Sequence, residues 1–215
     1  MRLGILGGTF DPVHFGHLRL ALEVAENLDL DCLSLVPASV PPHKGEGAVA
    51  SFADRYEMIR MALGDTPVLD VLDLEGRREG PSYTVWTLRE IRQSHACDLD
   101  LYFVVGTDAF WEIRTWKDYR TLFDYAHFVL VERPGGTARD VERLLESLDL
   151  GFIKAGPREY RMGAAGNTLI RMETTALDIS STRIREAAAQ GRSIRFLLPD
   201  SVEAYIMERG LYSRR

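Results

Sequence analysis

Cysteine is nearly absent: the chain has two in 215 residues, Cys32 and Cys97. They are far apart and show no metal-ligand spacing, which excludes a disulfide framework and a clustered thiolate site. Both read as reduced, buried thiols. Long apolar runs are missing too. No stretch approaches the roughly 18 residues of a membrane span. The opening MRLGILGG carries one Arg and a very short apolar run, without the longer core and cleavage site of a signal peptide. A cytoplasmic protein without a membrane partner is expected. Positive charge is in deficit, with a formal net charge of −6, which argues against a general nucleic-acid footprint. A small anionic substrate stays open, but its site would have to concentrate positive charge locally. Internal repeats and low-complexity tracts are also lacking. What remains is an ordinary globular balance, 46% hydrophobic and 27% charged residues, long enough to bury a sizeable core.

Short β-prone runs alternate with helical patterns. Strands are predicted at Arg2–Leu6, Cys32–Val36, Val68–Leu72, Leu99–Val105, His127–Val131 and Thr168–Met172. Apolar residues at 18, 21, 22, 25 and 28 trace one helix face. Further helices are predicted over Ala53–Leu63, Tyr83–Gln93 with Ser82 as N-cap, Asp140–Ser147, Ser181–Ala189 with Gly191 as a stop, and Ser201–Arg209. Several strands are apolar on both faces and end in Gly or polar residues. This is the pattern of an α/β protein with a doubly wound parallel sheet, whose ligands bind beyond the carboxyl ends of the strands. Residues 150–167 have weak periodicity and receive no assignment. The Pro- and Gly-rich stretch 37–52 is too long for a simple connection and is expected to be a mobile lid.

Residues 7–17 read GGTFDPVHFGH. Gly7 and Gly8 stand where the first strand must turn, and glycine permits unusual dihedrals and close approach of a ligand. Thr9 offers a hydroxyl, and Asp11-Pro12 favours a turn leading into a helix. His14 and His17 then share one face of the first helical turn. A helix start has unsatisfied N–H groups and partial positive charge, so two imidazoles beside it make an anion site suited to phosphate. A plain turn is the alternative. A metal site is disfavoured because no third ligand is nearby and HxxH lacks the Glu of HExxH. Neither a Walker loop nor GxGxxG is present.

The same eleven residues resemble the T/HxGH signature of the nucleotidylyltransferase superfamily. Further segments span nearly the whole chain: PPHK at 41–44, DRYEM at 54–58, GPSYTVWTL at 80–88, VVGTDAFWEIRTW at 104–116, VERPG at 131–135, DISSTRIR at 178–185 and LPDSVEAYI at 198–206. Together they are similar to the bacterial nicotinate-nucleotide adenylyltransferases. The resemblance implies one Rossmann-like nucleotidylyltransferase domain over 1–215, with a small helical part from about 178. It also implies adenylyl transfer from ATP to nicotinate mononucleotide, giving deamido-NAD and pyrophosphate in NAD biosynthesis. The mononucleotide phosphate, already an anion, would attack the α-phosphorus in line without a general base, and Mg²⁺ would be bound mainly through substrate phosphates. A homo-oligomer is left open.

By the same resemblance, His14, His17 and Arg183 are the catalytic candidates. ATP would be held by Gly7, Gly8, Thr9, Phe10, His14, His17, Gly106, Asp108, Ser180, Ser181 and Arg183. Nicotinate mononucleotide would be held by Lys44, Tyr83, Thr84, Trp116 and Arg133. Several have a plainer alternative: Lys44 as a solvated surface lysine, Asp108 as a helix N-cap, Ser180, Ser181 and Arg183 as an ordinary capped helix start, Trp116 as core packing, Arg133 as a surface ion pair. An indole can stack on a flat pyridine ring, and backbone N–H near Thr84 could take its carboxylate. Lys117 departs from the aromatic residue that many relatives carry, which leaves acid-over-amide selectivity open, although its added charge would favour a carboxylate. His43, His95 and His127 are read as structural or surface residues. Rival readings are another acceptor on the same scaffold, such as nicotinamide mononucleotide, phosphopantetheine or a cytidylyl substrate, and a non-catalytic nucleotide-binding module.

Overall fold

A computed structural model of the chain describes residues 1–40, 50–95, 98–132, 141–163 and 166–213. The elements follow in chain order. They are β1 (Arg2–Gly8), α1 (Phe15–Asn27), β2 (Cys32–Pro37), α2 (Phe52–Leu63), β3 (Leu69–Val71), α3 (Thr84–Ser94), β4 (Asp100–Gly106), α4 (Thr107–Trp111), α5 (Leu122–Tyr125), β5 (His127–Glu132), α6 (Val141–Ser147), β6 (Phe152–Gly156), β7 (Glu159–Met162), β8 (Thr168–Glu173), α7 (Ser181–Ala189) and α8 (Asp200–Arg209). The strands form one sheet in the order β3-β2-β1-β4-β5-β8-β7-β6. From β3 to β8 the neighbours are parallel; β7 joins β8 antiparallel, and β6 joins β7 antiparallel.

The sheet is buried on both faces, as the strand compositions require. Leu101, Phe103 and Val105 of β4 face a core with Val85, Leu88 and Ile91 of α3. Tyr102 and Val104 face the opposite core, with Val24 of α1, Met58 and Ile59 of α2, and Val202 and Ile206 of α8. From β1 the chain builds outward through β2 and β3, then returns to place β4 on the other side of β1. The carboxyl ends of β1 and β4 therefore part at a topological switch point, where a crevice opens.

The hairpin of β6 and β7 fills the stretch without an assignment. Its periodicity is weak because it lies at the sheet edge, where only Tyr160 and Met162 of β7 are buried and most of β6 is exposed. Ser82 does not cap α3. Tyr83 holds the N-cap position, while the buried Ser82 hydroxyl accepts hydrogen bonds from the Ser39 and Val40 N–H groups at 2.9 and 3.2 Å. A hydroxyl with two loop amides to satisfy is drawn away from the helix end. Cys32 is half-buried rather than buried, since it opens β2 at the amino edge of the sheet, and Cys97 lies outside the described residues. So does 41–49, the greater part of the expected lid. Among the described residues no helix is long and apolar enough to cross a membrane.

Candidate active site

A cavity of about 840 Å³ opens at the switch point, within the range of small-molecule sites. Its walls come from five places: the segment from Thr9 to Leu20 after β1, Gly106–Ala109 after β4, Val131, Glu132 and Arg171 at the ends of β5 and β8, Val141 at the start of α6, and the strap and helix start from Glu173 to Arg185. Of the sequence candidates it brings together Thr9, Phe10, His14, His17, Gly106, Asp108, Ser180 and Ser181.

His14 is the N-cap of α1 and His17 its third residue. The two rings stack with centroids 3.7 Å apart, and Phe10 meets His17 edge-on at 5.0 Å. His17 Nδ1 accepts the His14 N–H at 3.3 Å. In the neutral ring that leaves the proton on Nε2, which becomes a donor. Gly16 makes the stacking fit: a Cβ there would stand 3.0 Å from His14 Nδ1. Two glycines were expected to take unusual dihedrals at the strand end, but Gly7 and Gly8 do not. The left-handed conformation falls on Phe10, with φ +50°. Gly8 instead provides room, because a Cβ there would come within 2.8 Å of the Phe10 ring. Gly7 is not among the cavity residues; it lies beside Phe103 on the other face.

Two helix starts converge here. Ser180 caps α7, accepting the Arg183 N–H at 3.3 Å, and Ser181 Oγ donates to the Pro12 carbonyl at 2.8 Å, which joins α7 to the loop before α1. Neither α1 nor α7 carries an acidic side chain in its first turn, so both positive poles stay uncompensated by their own helices. Gly106, not Asp108, is the N-cap of α4, and Asp108 sits in its first turn. Thr107 Oγ1 donates to the Val131 carbonyl at 2.9 Å, tying the β4 turn to β5.

Arg183 does not line the cavity. It is exposed and pairs with Asp178 at 3.0 Å. Arg185 stands in its place, lining the cavity and donating to the Asp11 carbonyl at 2.6 Å. Helix spacing explains the exchange. Ser181 and Arg185 are four residues apart and share a face, whereas Arg183 points elsewhere. The same spacing was readable in DISSTRIR once Ser181 was taken to face the site. Arg171, which donates twice to Glu132 Oε1 at 2.7 and 2.9 Å, and the strap residues 174–177 carried no site signal in the sequence. Among the described residues of the lining, guanidinium groups do not outnumber carboxylates. The lining has Arg171 and Arg185 against Asp11, Asp108, Glu132 and Glu173. The same lining carries the starts of α1 and α7 and the two imidazoles.

The acceptor candidates lie on the other face of the sheet. Trp116 is half-buried and meets Phe103 edge-on at 6.1 Å. Tyr83 meets Trp86 edge-on at 4.8 Å, and Thr84 begins α3. Lys117 Nζ lies 5.3 Å from the Tyr83 ring centroid and 5.6 Å from that of Trp86, which ties the Trp116 turn to the start of α3. Lys44, Arg133 and His43 lie outside the described residues. His127 is structural: it accepts the Thr168 N–H at 3.0 Å and stacks on Tyr102.

Comparison with known proteins gives a consistent neighbourhood. The profile of the family described as Cytidylyltransferase-like matches residues 5–187. A protein of Desulfatibacillum aliphaticivorans named "Probable nicotinate-nucleotide adenylyltransferase" is 46% identical over 218 residues, covering 99% of this chain and 100% of its own. One of the same name from Geotalea daltonii is 42% identical over 214 residues, covering 99% of each. In structure, the nicotinic acid mononucleotide adenylyltransferase of Plasmodium falciparum, complexed with NaAD, superposes with a TM-score of 0.73 at 20% identity. That match covers 98% of this chain and 97% of the other.

Proposed function

The chain belongs to the Cytidylyltransferase-like family, where nicotinate-nucleotide adenylyltransferases match it from end to end, and from that premise we propose that it transfers the adenylyl group of ATP to nicotinate mononucleotide, giving deamido-NAD and pyrophosphate. The observation that carries this reading is the meeting of two helix starts and two stacked imidazoles on one cavity at the switch point.

The nucleophile is a phosphate monoester, an anion at neutral pH. Its oxygen bonds to the α-phosphorus of ATP as the bond to pyrophosphate breaks, and no proton has to be removed. The obstacle is crowded negative charge, which fixed dipoles offset better than mobile water. His17 Nε2–H, the His14 ring and the α1 start would serve the phosphates from one side. Ser180, Ser181 and Arg185 at the α7 start would serve them from the other, and Gly106 and Asp108 would meet the ribose. Arg185 takes the role first assigned to Arg183. The acceptor ring would stack on Trp116 beside Tyr83, with its carboxylate at the Thr84 amide. Roles for Lys44 and Arg133 on the mononucleotide phosphate rest on the resemblance alone.

Magnesium fits as an ion carried by the substrate. The lining has as many acids as bases or more, so a triphosphate needs its own cation there. Among the described residues no group of three or more His, Cys, Asp and Glu could hold a metal. When bound, the ion would neutralise phosphate charge. The reading also includes one nucleotidylyltransferase domain over 1–215, a cytoplasmic setting, and no nucleic-acid or membrane partner, in keeping with the net charge of −6.

The test is pyrophosphate release from ATP and Mg²⁺ with nicotinate and nicotinamide mononucleotides in parallel. Release that depends on added mononucleotide and favours the acid is expected. Failure of both acceptors to release pyrophosphate would remove the reading, and preference for the amide would reassign the acceptor.

A further inference from the structure

Behind the cavity the end of the chain folds back against the loop that carries the histidines. Tyr212 is buried, with φ +64°, and its hydroxyl donates to Asp11 Oδ1 at 2.7 Å. The same oxygen accepts the Ala50 N–H at 3.3 Å. Arg55, at the end of the first turn of α2, is 1% exposed. Its guanidinium donates to three carbonyls: Thr9 at 2.8 Å, Ala50 at 3.3 Å and Ser39 at 3.5 Å. A buried guanidinium spread over three loop carbonyls, with Asp11 as its strongest opposing charge, fixes loop geometry more than it adds stability.

These contacts bracket one residue. Arg55 holds the carbonyl before Phe10, and Tyr212, Ala50 and Arg185 hold the residue after it. Phe10 is the left-handed residue, and its ring supports His17 edge-on. A phenylalanine keeps such a backbone only where its surroundings over-determine it. Burial, then the bond to Asp11, push the Tyr212 phenol far above its ordinary value, so the hydroxyl stays protonated and serves Asp11 only as a donor. Neither Arg55 nor Tyr212 is among the residues lining the cavity.

We infer that Tyr212 and Arg55 are positioning residues for adenylyl transfer: through Asp11 and the left-handed Phe10 they set where His14 and His17 point. The inference rests on the proposed function for its catalytic arm, but not for its structural arm.

The decisive comparison sets Tyr212→Phe beside Tyr205→Phe. Tyr205 lies in the same C-terminal stretch and donates to Asp54, one residue from Arg55, at 2.9 Å, so its loss loosens C-terminal docking without touching Asp11. Tyr212→Phe is expected to lower kcat about 10- to 100-fold, the scale of a small misplacement of catalytic groups, with KM for both substrates within about twofold. Tyr205→Phe should keep kcat within about twofold, even where its melting temperature falls as much. Equal kcat losses in the two variants, or a Tyr212→Phe loss confined to KM, would overturn the inference. The second arm needs no activity: imidazole ¹⁵N resonances of His17, recorded on ligand-free protein, should shift in Tyr212→Phe and in Arg55→Lys but not in Tyr205→Phe. Unshifted resonances in folded Tyr212→Phe and Arg55→Lys would overturn it as well. An inactive wild type would sink the adenylyl-transfer reading and leave this arm to decide the positioning.

Discussion

Around His14 and His17 the backbone is held by buried carbonyls, a guanidinium and a phenol, whereas around Trp116 and Tyr83 it is held by rings and one exposed ammonium. The first region lies on the α1 face of the sheet, where Asp11, His14 and Arg55 are all buried. The second lies on the α3 face, where Tyr83, Trp86 and Trp116 are half-buried and Lys117 is exposed. The contrast follows from the two tasks proposed for them. Charge developing on a phosphate is stabilised best by dipoles that do not reorganise. A flat pyridine ring asks only for a flat, partly dry surface, which side-chain contacts supply with freedom to adjust. Phe103 lies between the two, beside Gly7 at the end of β1 and edge-on to the Trp116 ring.

The largest effect is expected on the rigid side. His17→Ala should lower kcat about 10²–10³-fold, or about 3–4 kcal/mol, as for other preorganised donors to developing charge. Because the ring also fills space against Phe10 and His14, the variant should be checked for native near-ultraviolet dichroism. A folded His17→Ala protein with wild-type kcat would end the distinction between the two regions, since the rigid one would then have no catalytic purpose.

How much of this contrast was legible in the sequence differs between the two sides. Parallel strands announce themselves by apolar runs such as LYFVV, and the His pair by its place at a strand-to-helix turn. The six predicted strands and the helix starts after β1 and at Ser181 were therefore readable. The edge hairpin was not, because too few of its residues are buried to leave a period. Arg185 was obscured by Arg183, two residues away, until helix spacing is imposed. The roles of Arg55, quoted only within DRYEM, and of Tyr212 were beyond reach for a different reason: each acts on a loop 46 or 201 residues away in the chain. No local pattern marks a side chain whose partners are backbone carbonyls and a distant carboxylate.

On the adaptable side, effects should be smaller and fall on binding. Trp116→Ala is expected to raise KM for the mononucleotide about 3- to 10-fold, the scale of one aromatic stacking contact, while KM for ATP stays within about twofold. Equal losses for both substrates in initial-rate kinetics would show that Trp116 supports the sheet through Phe103 rather than meeting the acceptor. Lys117→Met probes the same surface more gently. Removing the cation over Tyr83 and Trp86 should lower the ratio of kcat/KM for nicotinate over nicotinamide mononucleotide about two- to fivefold. An unchanged ratio would assign acid preference to the backbone at Thr84 alone.

The smallest effect separates the regions by what in them titrates. Asp54, next to Arg55 in α2, accepts hydrogen bonds from Ser51 at 2.6 Å, Tyr205 at 2.9 Å and Arg209 at 3.1 Å. The Ser51 hydroxyl first, then Tyr205 and Arg209, hold its carboxyl below the usual carboxylate range against the opposing effect of burial. A carboxylate with a lowered folded-state pKa binds fewer protons folded than unfolded, so its contribution is complete above the unfolded value of about 4 and fades as pH falls through the folded one. Asp54→Asn should therefore melt below wild type at pH 7, and the gap should close on titration from about pH 4 downward. Trp116→Ala removes no ionisable group, so its gap from wild type should stay level across that interval. A pH-independent gap for Asp54→Asn would mean that this carboxylate holds α8 by shape rather than by charge.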